Sequence, residues 1–279
     1  MEQDTTGRTA DGGPGQVLAA LEPGPGFAPT SAAARTMASL FGTEVRGCHV
    51  VRPPGDAAAV TEAAAMTARA GFPVAVEEGP VVATLAAVSA EPRVALGVVG
   101  AGDRPGRLGH VAAGVAEATP APLLVVPVGA EVGGGREVRR ALVALDGDPR
   151  STAAVRDTAD RLAARGVEVV LLHVFDPRRP PRFDTGGHGL AAWREEFLRR
   201  HGPASDVALR SGDPGTEVAA SARQEDADLL VLSWEQQPRP GHAEVVRAAL
   251  LNPKVPVLLL HTPGIEVPEG RAARPRAAS

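Results

Sequence analysis

The chain has 279 residues and a formal net charge of −4, and 44% of its residues are hydrophobic, which is enough for a substantial core. Aromatic residues make up 3% and tyrosine is absent, which argues against base stacking with nucleic acid, and the net negative charge argues against a basic phosphate-binding face. With Lys254 as the one lysine and Cys48 as the one cysteine, a Walker A loop, an internal disulfide and a cysteine zinc cluster are excluded. We expect a cytoplasmic protein with no membrane partner, since no apolar run approaches ~18 residues.

Apolar Val- and Leu-rich runs alternate with Ala-rich runs of helical spacing, which predicts an α/β fold with buried parallel strands. In the first half the order is strand Val17–Leu21, helix Ser31–Phe41, strand Val45–Val51, helix Ala57–Ala70, strand Pro73–Val76, helix Val81–Ser89, strand Val94–Val99, helix Val111–Glu117 and strand Leu123–Val126. In the second half it is strand Ala141–Leu145, helix Ser151–Ala164, strand Val167–Val174, helix Leu190–Arg200, strand Asp206–Leu209, helix Thr216–Gln224, strand Leu229–Leu232, helix Ala243–Leu250 and strand Val255–Leu260.

An internal repeat divides the chain into two copies of one fold. A shift of 124 residues places Leu18 on Leu142 and His49 on His173, and a shift of 132 places Gly109-His110 on Gly241-His242. We therefore predict two tandem domains, at 16–128 and 139–263. A Gly-rich linker at 129–138 joins them, and disordered tails cover 1–15 and 264–279.

Candidate ligand-binding residues stand where strands end, because ligands of open parallel sheets bind beyond the carboxyl ends of the strands. In the second copy, Asp146 ends the first strand, and Ser151 is the predicted N-cap of the next helix. Asp146 either faces a nucleotide or its metal, or joins Asp148 in shaping a turn and capping the helix.

Glycines and a histidine mark the end of the fourth strand in the first copy. They are Gly100, Gly102, Gly109 and His110, and they could hold an anion on backbone N–H groups, although Gly-rich turns are common. The second copy has Trp234, Gly241 and His242 there, and the indole could cover or fill a pocket. The recurrence of His110 and His242 reflects either a shared phosphate contact or common descent.

The remaining reactive side chains favour structural roles. His49 and His173 occupy equivalent strand positions and are predicted to be hydrogen-bonded structural histidines, while Cys48 is predicted to be buried and inert. Neither a catalytic nucleophile–base pair nor a metal-ligating histidine pair emerges from the sequence. Trp193 and Phe197 are predicted to face the sheet from one helix.

Several segments resemble the universal stress protein family. They are Ala141–Asp146 with Ser151, Leu171–Val174, Asp226–Leu232 and Val255–Leu259, with fainter counterparts in the first copy. The resemblance covers Val17–Thr262. It implies two Rossmann-like domains, each with strand order 3-2-1-4-5, that pair through their fifth strands as a pseudo-twofold dimer. It also implies that an adenine, if bound, would lie near Val174.

Both copies depart from the family's nucleotide-binding motif of Gly, two residues, Gly, nine residues, Gly, then Ser or Thr. Asp103 and His110 break it in the first copy, and Ser233 and Gln236 break it in the second. We therefore expect a regulatory stress-response protein that binds or associates without turnover and has no firm cofactor.

Two other functions stay open. The alternative is an adenine-nucleotide sensor or slow ATPase in the second copy, where Asp146, Gly241 and His242 would hold ATP and magnesium. The third reading is an enzyme with a site around His242 and Glu235. A homodimer and a separate protein partner also stay open.

Overall fold

The computed structural model describes residues 15–52, 57–130, 137–146, 148–176, 206–234, 242–251 and 254–262. Most of both predicted tails, most of the predicted linker and the predicted helix Leu190–Arg200 lie outside the described residues. The predicted domain boundaries consequently stay predictions.

All ten predicted strands are present, as are seven of the eight predicted helices. The first half comprises β1 Gln16–Ala20, α1 Phe27–Phe41, β2 Glu44–Val51, α2 Ala57–Ala70, β3 Val74–Glu78, α3 Val81–Ser89, β4 Val94–Gly100, α4 His110–Ala118 and β5 Leu123–Val126. The second half comprises β6 Arg140–Ala144, α5 Pro149–Ala164, β7 Glu168–Phe175, β8 Asp206–Ser211, α6 Pro214–Gln224, β9 Leu229–Trp234, α7 His242–Leu250 and β10 Val257–His261. Within the described ranges, no helix is long and apolar enough to cross a bilayer.

The strands form one ten-stranded sheet in the order β3-β2-β1-β4-β5-β10-β9-β6-β7-β8. Each half therefore has the expected 3-2-1-4-5 order, and neighbouring strands within a half are parallel. The register also repeats, because Val17 lies opposite Val45 and Ala141 lies opposite Val169, a separation of 28 residues in both halves. The α/β prediction is confirmed.

Apolar side chains cover both faces of the sheet, as the continuous apolar strands predict. One core cluster packs the sheet against α1, α2 and α5, and the other packs it against α3, α4, α6 and α7. Both clusters contain residues from both halves, so the two cores are continuous across the middle of the sheet.

The two halves join where β5 and β10 pair in antiparallel orientation. Three residue pairs form this joint, and all six side chains are at most 2% exposed: Val125 with Val257, Leu124 with Leu258, and Leu123 with Leu259. The pairing leaves neither fifth strand as an open edge.

Truncating the joint should destabilise the whole chain. We expect Leu124→Ala to lower the free energy of unfolding by about 2–5 kcal/mol, because it removes buried methyl groups and leaves a cavity between the halves. Urea denaturation followed by circular dichroism measures the loss. As a control, Val60→Ala alters a side chain that is 64% exposed and should change stability by no more than about 0.5 kcal/mol. Equal effects of the two variants would contradict a buried joint.

Candidate binding site at the carboxyl edge of the first half

A cavity of about 930 Å³ opens at the carboxyl edge of the first half. The ends of β1, β2 and β4 form its floor, and the first residues of α1, α3 and α4 form its walls. The strand order reverses between β1 and β4, which is where open α/β sheets bind their ligands.

The structure brings four of the predicted binding residues together at this cavity: Gly100, Gly102, Gly109 and His110 all line it. Asp146 and Val174 belong to the second half: Asp146 follows β6, and Val174 lies near the end of β7. His242 begins α7, and Gly241 lies outside the described residues. The binding roles of these residues stay predictions.

The glycines of the β4–α4 loop have a conformational reason for being there. Gly102 has a φ of 128°, a conformation that side chains disfavour, and the Gly109 N–H donates to the Ala101 carbonyl at 2.6 Å. A Cβ on Gly102 would lie 3.3 Å from the Gly109 nitrogen. The loop thus closes tightly on itself, and this closure accounts for the glycines whether or not a phosphate binds.

The amino end of α4 supplies hydrogen-bond donors to the cavity. Gly109 is the N-cap and contributes no side-chain acceptor, so the first backbone N–H groups of the helix have no capping side chain. His110, Val111 and Ala112 line the cavity, and the positive end of the helix dipole lies there as well. This end of α4 is suited to an anionic group.

Charged side chains of both signs surround the cavity. Arg104 and Arg107 are exposed residues of the β4–α4 loop, and both line the cavity. Glu22 and Asp103 also line it and carry negative charge. Sequence reasoning missed the two arginines, although their spacing of three residues within one short loop was a signal that they could act together.

The histidines confirm the structural interpretation. The Nδ1 atom of His49 lies 3.0 Å from the Leu21 carbonyl, and that of His173 lies 2.9 Å from the Leu145 carbonyl. Both rings are buried, and burial lowers the pKa of His173. His49 additionally lies in the cavity wall, with its Nε2 3.5 Å from a Glu62 carboxylate oxygen.

The residues after β6 form a turn and a helix cap. Asp146 Oδ1 accepts the Asp148 N–H at 2.9 Å, and Asp148 Oδ1 accepts the Arg150 N–H at 2.8 Å. The side-chain hydrogen bond from Arg150 holds the pKa of Asp148 below its ordinary value. The prediction that Ser151 is the N-cap is wrong: Asp148 caps α5, Pro149 occupies the first turn, and Ser151 is a buried residue within the helix.

Trp234 lies against the first half. Its side chain is 9% exposed, and its indole N–H donates to the Ala116 carbonyl in α4 at 2.8 Å. The sequence suggested that this indole could cover or fill a pocket of the second half. In the structure the indole makes a hydrogen bond between the two halves of the chain, and its relation to a pocket of the second half stays a prediction.

Replacing Gly102 should disturb the loop that walls the cavity. We expect Gly102→Ala to lower the free energy of unfolding by about 1–3 kcal/mol, because the loop would hold an unfavourable φ with a Cβ close to Gly109. Gly71→Ala is the matched control, since Gly71 also has a positive φ, of 76°, but a Cβ there would contact nothing. Thermal denaturation of both variants checks this, and a smaller loss for Gly102→Ala than for Gly71→Ala would contradict it.

The Cys48 thiol should be unreactive in the folded chain. Burial, and after it the negative charge of Glu77, raises the pKa of this thiol from 9.0 to about 12. At pH 8 we expect an aromatic disulfide reagent to modify Cys48 only as fast as the chain unfolds. Above pH 9 the unfolded thiol ionises while the folded thiol stays protonated, so the free energy of unfolding should fall more steeply with pH than in Cys48→Ala. Rapid labelling of the native chain would overturn this expectation.

Solved structures of other proteins share this architecture. Over 88% of the chain, the structure matches a universal stress protein from Archaeoglobus fulgidus DSM 4304, with a TM-score of 0.65, 15% identity and 96% of that chain covered. A functionally unknown protein from Pseudomonas aeruginosa PAO1 matches over 88% of this chain and 92% of its own, also with a TM-score of 0.65 and 15% identity. At such identities the likeness shows a shared fold.

A search of curated proteins found no match. The model of the universal stress protein family matches residues 137–261. This segment spans β6 through β10, all the strands of the second half. The second half of the chain is therefore a domain of the universal stress protein family.

Proposed function

We propose that this chain is a regulatory stress-response protein that acts by reversible binding and association, without turning a substrate over. The family of the second half suggests the stress-response role. The observation that carries the binding role is the cavity at the carboxyl edge of the first half, and its ligand is an anion of nucleotide size.

The size and position of the cavity support a small-molecule ligand. Its volume of about 930 Å³ is at the upper end of the range of ligand pockets, roughly 300–1,000 Å³. Leu21, Val50 and Val99 give its floor an apolar part, and His49 of β2 adds a polar ring, while the charged groups come from the loops. An apolar floor with a few polar groups at the rim suits a flat ring system that carries a charged group.

The charges near α4 support an anionic group on that ligand. The first turn of α4 supplies backbone donors, and Arg104 and Arg107 add two guanidinium groups on the same loop. Glu22 and Asp103 also line the cavity, so the arginines and the donors of α4 offset two negative charges there. The family motif is broken in this loop, so we place the anion on α4 and the two arginines.

The chemistry of the described lining residues supports binding without turnover. Cys48 is the thiol of the cavity, and its raised pKa leaves almost none of it as the nucleophilic thiolate at neutral pH. His49 is held by the Leu21 carbonyl through Nδ1, which fixes the ring in the wall. Neither group is arranged as an activated nucleophile with its base.

An adenine-nucleotide site in the second half stays the alternative proposal. The carboxylate of Asp146 follows β6 and organises the turn before α5. A metal-bound nucleotide would need this carboxylate, together with Gly241 and with His242, the first residue of α7. The two proposals therefore differ in the half that binds and in the dependence on magnesium.

Titration calorimetry distinguishes a site in the first half from one in the second half. We expect ATP, ADP or cyclic AMP to bind without magnesium. The double variant Arg104→Ala/Arg107→Ala should weaken that binding about tenfold or more, because it removes two charge-assisted contacts. Arg223→Ala is the matched control, since it removes an exposed positive charge from α6, away from the cavity.

The opposite pattern would overturn the first-half assignment. Binding that needs magnesium and is abolished by Asp146→Ala, but is unchanged in the double arginine variant, would place the site in the second half. Steady release of phosphate from ATP that Asp146→Ala or His242→Ala removes would show an enzyme and contradict binding without turnover.

A further inference from the structure

Trp234 provides the donor that the end of α4 lacks. The Ala116 carbonyl is in the last turn of α4, and its regular partner four residues on would be the N–H of residue 120. That residue is Pro120, which has no N–H, and the Thr119 N–H is used by the Val115 carbonyl. The indole of Trp234 donates to the Ala116 carbonyl from the other half of the chain.

This bond lies at one end of the helix whose other end lines the cavity. The helix α4 has nine residues and is about 13 Å long, and its N-cap Gly109 makes no side-chain hydrogen bond. A helix this short is marginally stable on its own, so its order depends on the packing of its buried face, Ala112, Val115 and Ala116, and on what holds its two ends. Trp234 holds the carboxyl end, and a ligand anion would hold the amino end.

The β4–α4 loop also approaches the second half. A Cβ on Gly106 would lie 3.9 Å from the carbonyl oxygen of Leu251, just after α7. The β4–α4 loop and the carboxyl end of α4 thus both lie next to the second half.

The link is one-sided. The sheet registers place Leu96 and Leu229 at equivalent positions, 133 residues apart, so Trp234 corresponds to Ala101. Ala101 has no side-chain donor. The second half therefore donates a side-chain hydrogen bond to α4 of the first half. The equivalent residue of the first half, Ala101, cannot donate one to the second half.

From this geometry we propose that Trp234 couples occupancy of the first-half cavity to the carboxyl edge of the second half. The inference rests on the proposed function, because it needs a ligand at the amino end of α4. A ligand there orders α4 and strengthens the indole–Ala116 bond, and by linkage this bond favours ligand binding. Trp234 is a positioning residue that contacts the helix rather than the ligand.

The indole N–H gives a direct readout. The chain has two tryptophans, so in the full-length Trp193→Phe variant the single indole resonance belongs to Trp234. We expect saturation with ADP, used as the probe without magnesium, to slow hydrogen exchange of this indole N–H severalfold. Trp234→Phe keeps an aromatic ring but removes the donor, and it should weaken ADP binding about fivefold in calorimetry, whereas Trp193→Phe should bind as the natural chain does.

The exchange measurement decides the inference even where Trp234→Phe fails to fold. If calorimetry shows ADP binding that depends on Arg104 and Arg107 while indole exchange stays unchanged, the coupling is overturned and the proposed function stands. If ADP, ATP and cyclic AMP all fail to bind, the proposed function is overturned and the coupling with it.

Discussion

The antiparallel pairing of β5 with β10 is the contact on which the rest of the structure depends. It joins two parallel five-stranded arrays into one sheet, so both helical layers pack on a core that continues across the joint. It also sets β9 of the second half close enough to α4 of the first for Trp234 to reach Ala116. An apolar pairing of six buried side chains thereby positions a polar contact outside it, the hydrogen bond from Trp234 to Ala116.

Much of the fold could be predicted because its signals are local. Continuous Val and Leu runs identify strands buried on both faces, and the spacing of 124 residues shows that the second half repeats the first. The sequence offered both Ser151 and Asp148 as caps of α5, and the structure selects Asp148, whose following Pro149 is the stronger start signal. The hydrogen bond from Trp234 to Ala116 spans 118 residues and lies between the halves, so no local pattern could reveal it.

The site could be predicted only in part. Gly100, Gly102, Gly109 and His110 were found because strand ends and helix starts meet at one edge of a parallel sheet. The reason for two of the glycines was missed, because the contact between Gly102 and Gly109 depends on how the loop closes. The halves also keep the same histidine-to-carbonyl bond across 28 residues, at His49 and His173, while the carboxylates after their first strands differ, with Glu22 in one and Asp146 in the other.

The joint has a consequence for how copies of this chain could assemble. Within its own half, each fifth strand pairs on one side only, β5 with β4 and β10 with β9. The other edges of β5 and β10 pair with each other. Neither fifth strand therefore has a free edge with which to pair with a second copy of the chain. A homodimer would have to be built on another surface, such as β3 or β8 at the two ends of the strand order, or on the helices that cover the sheet.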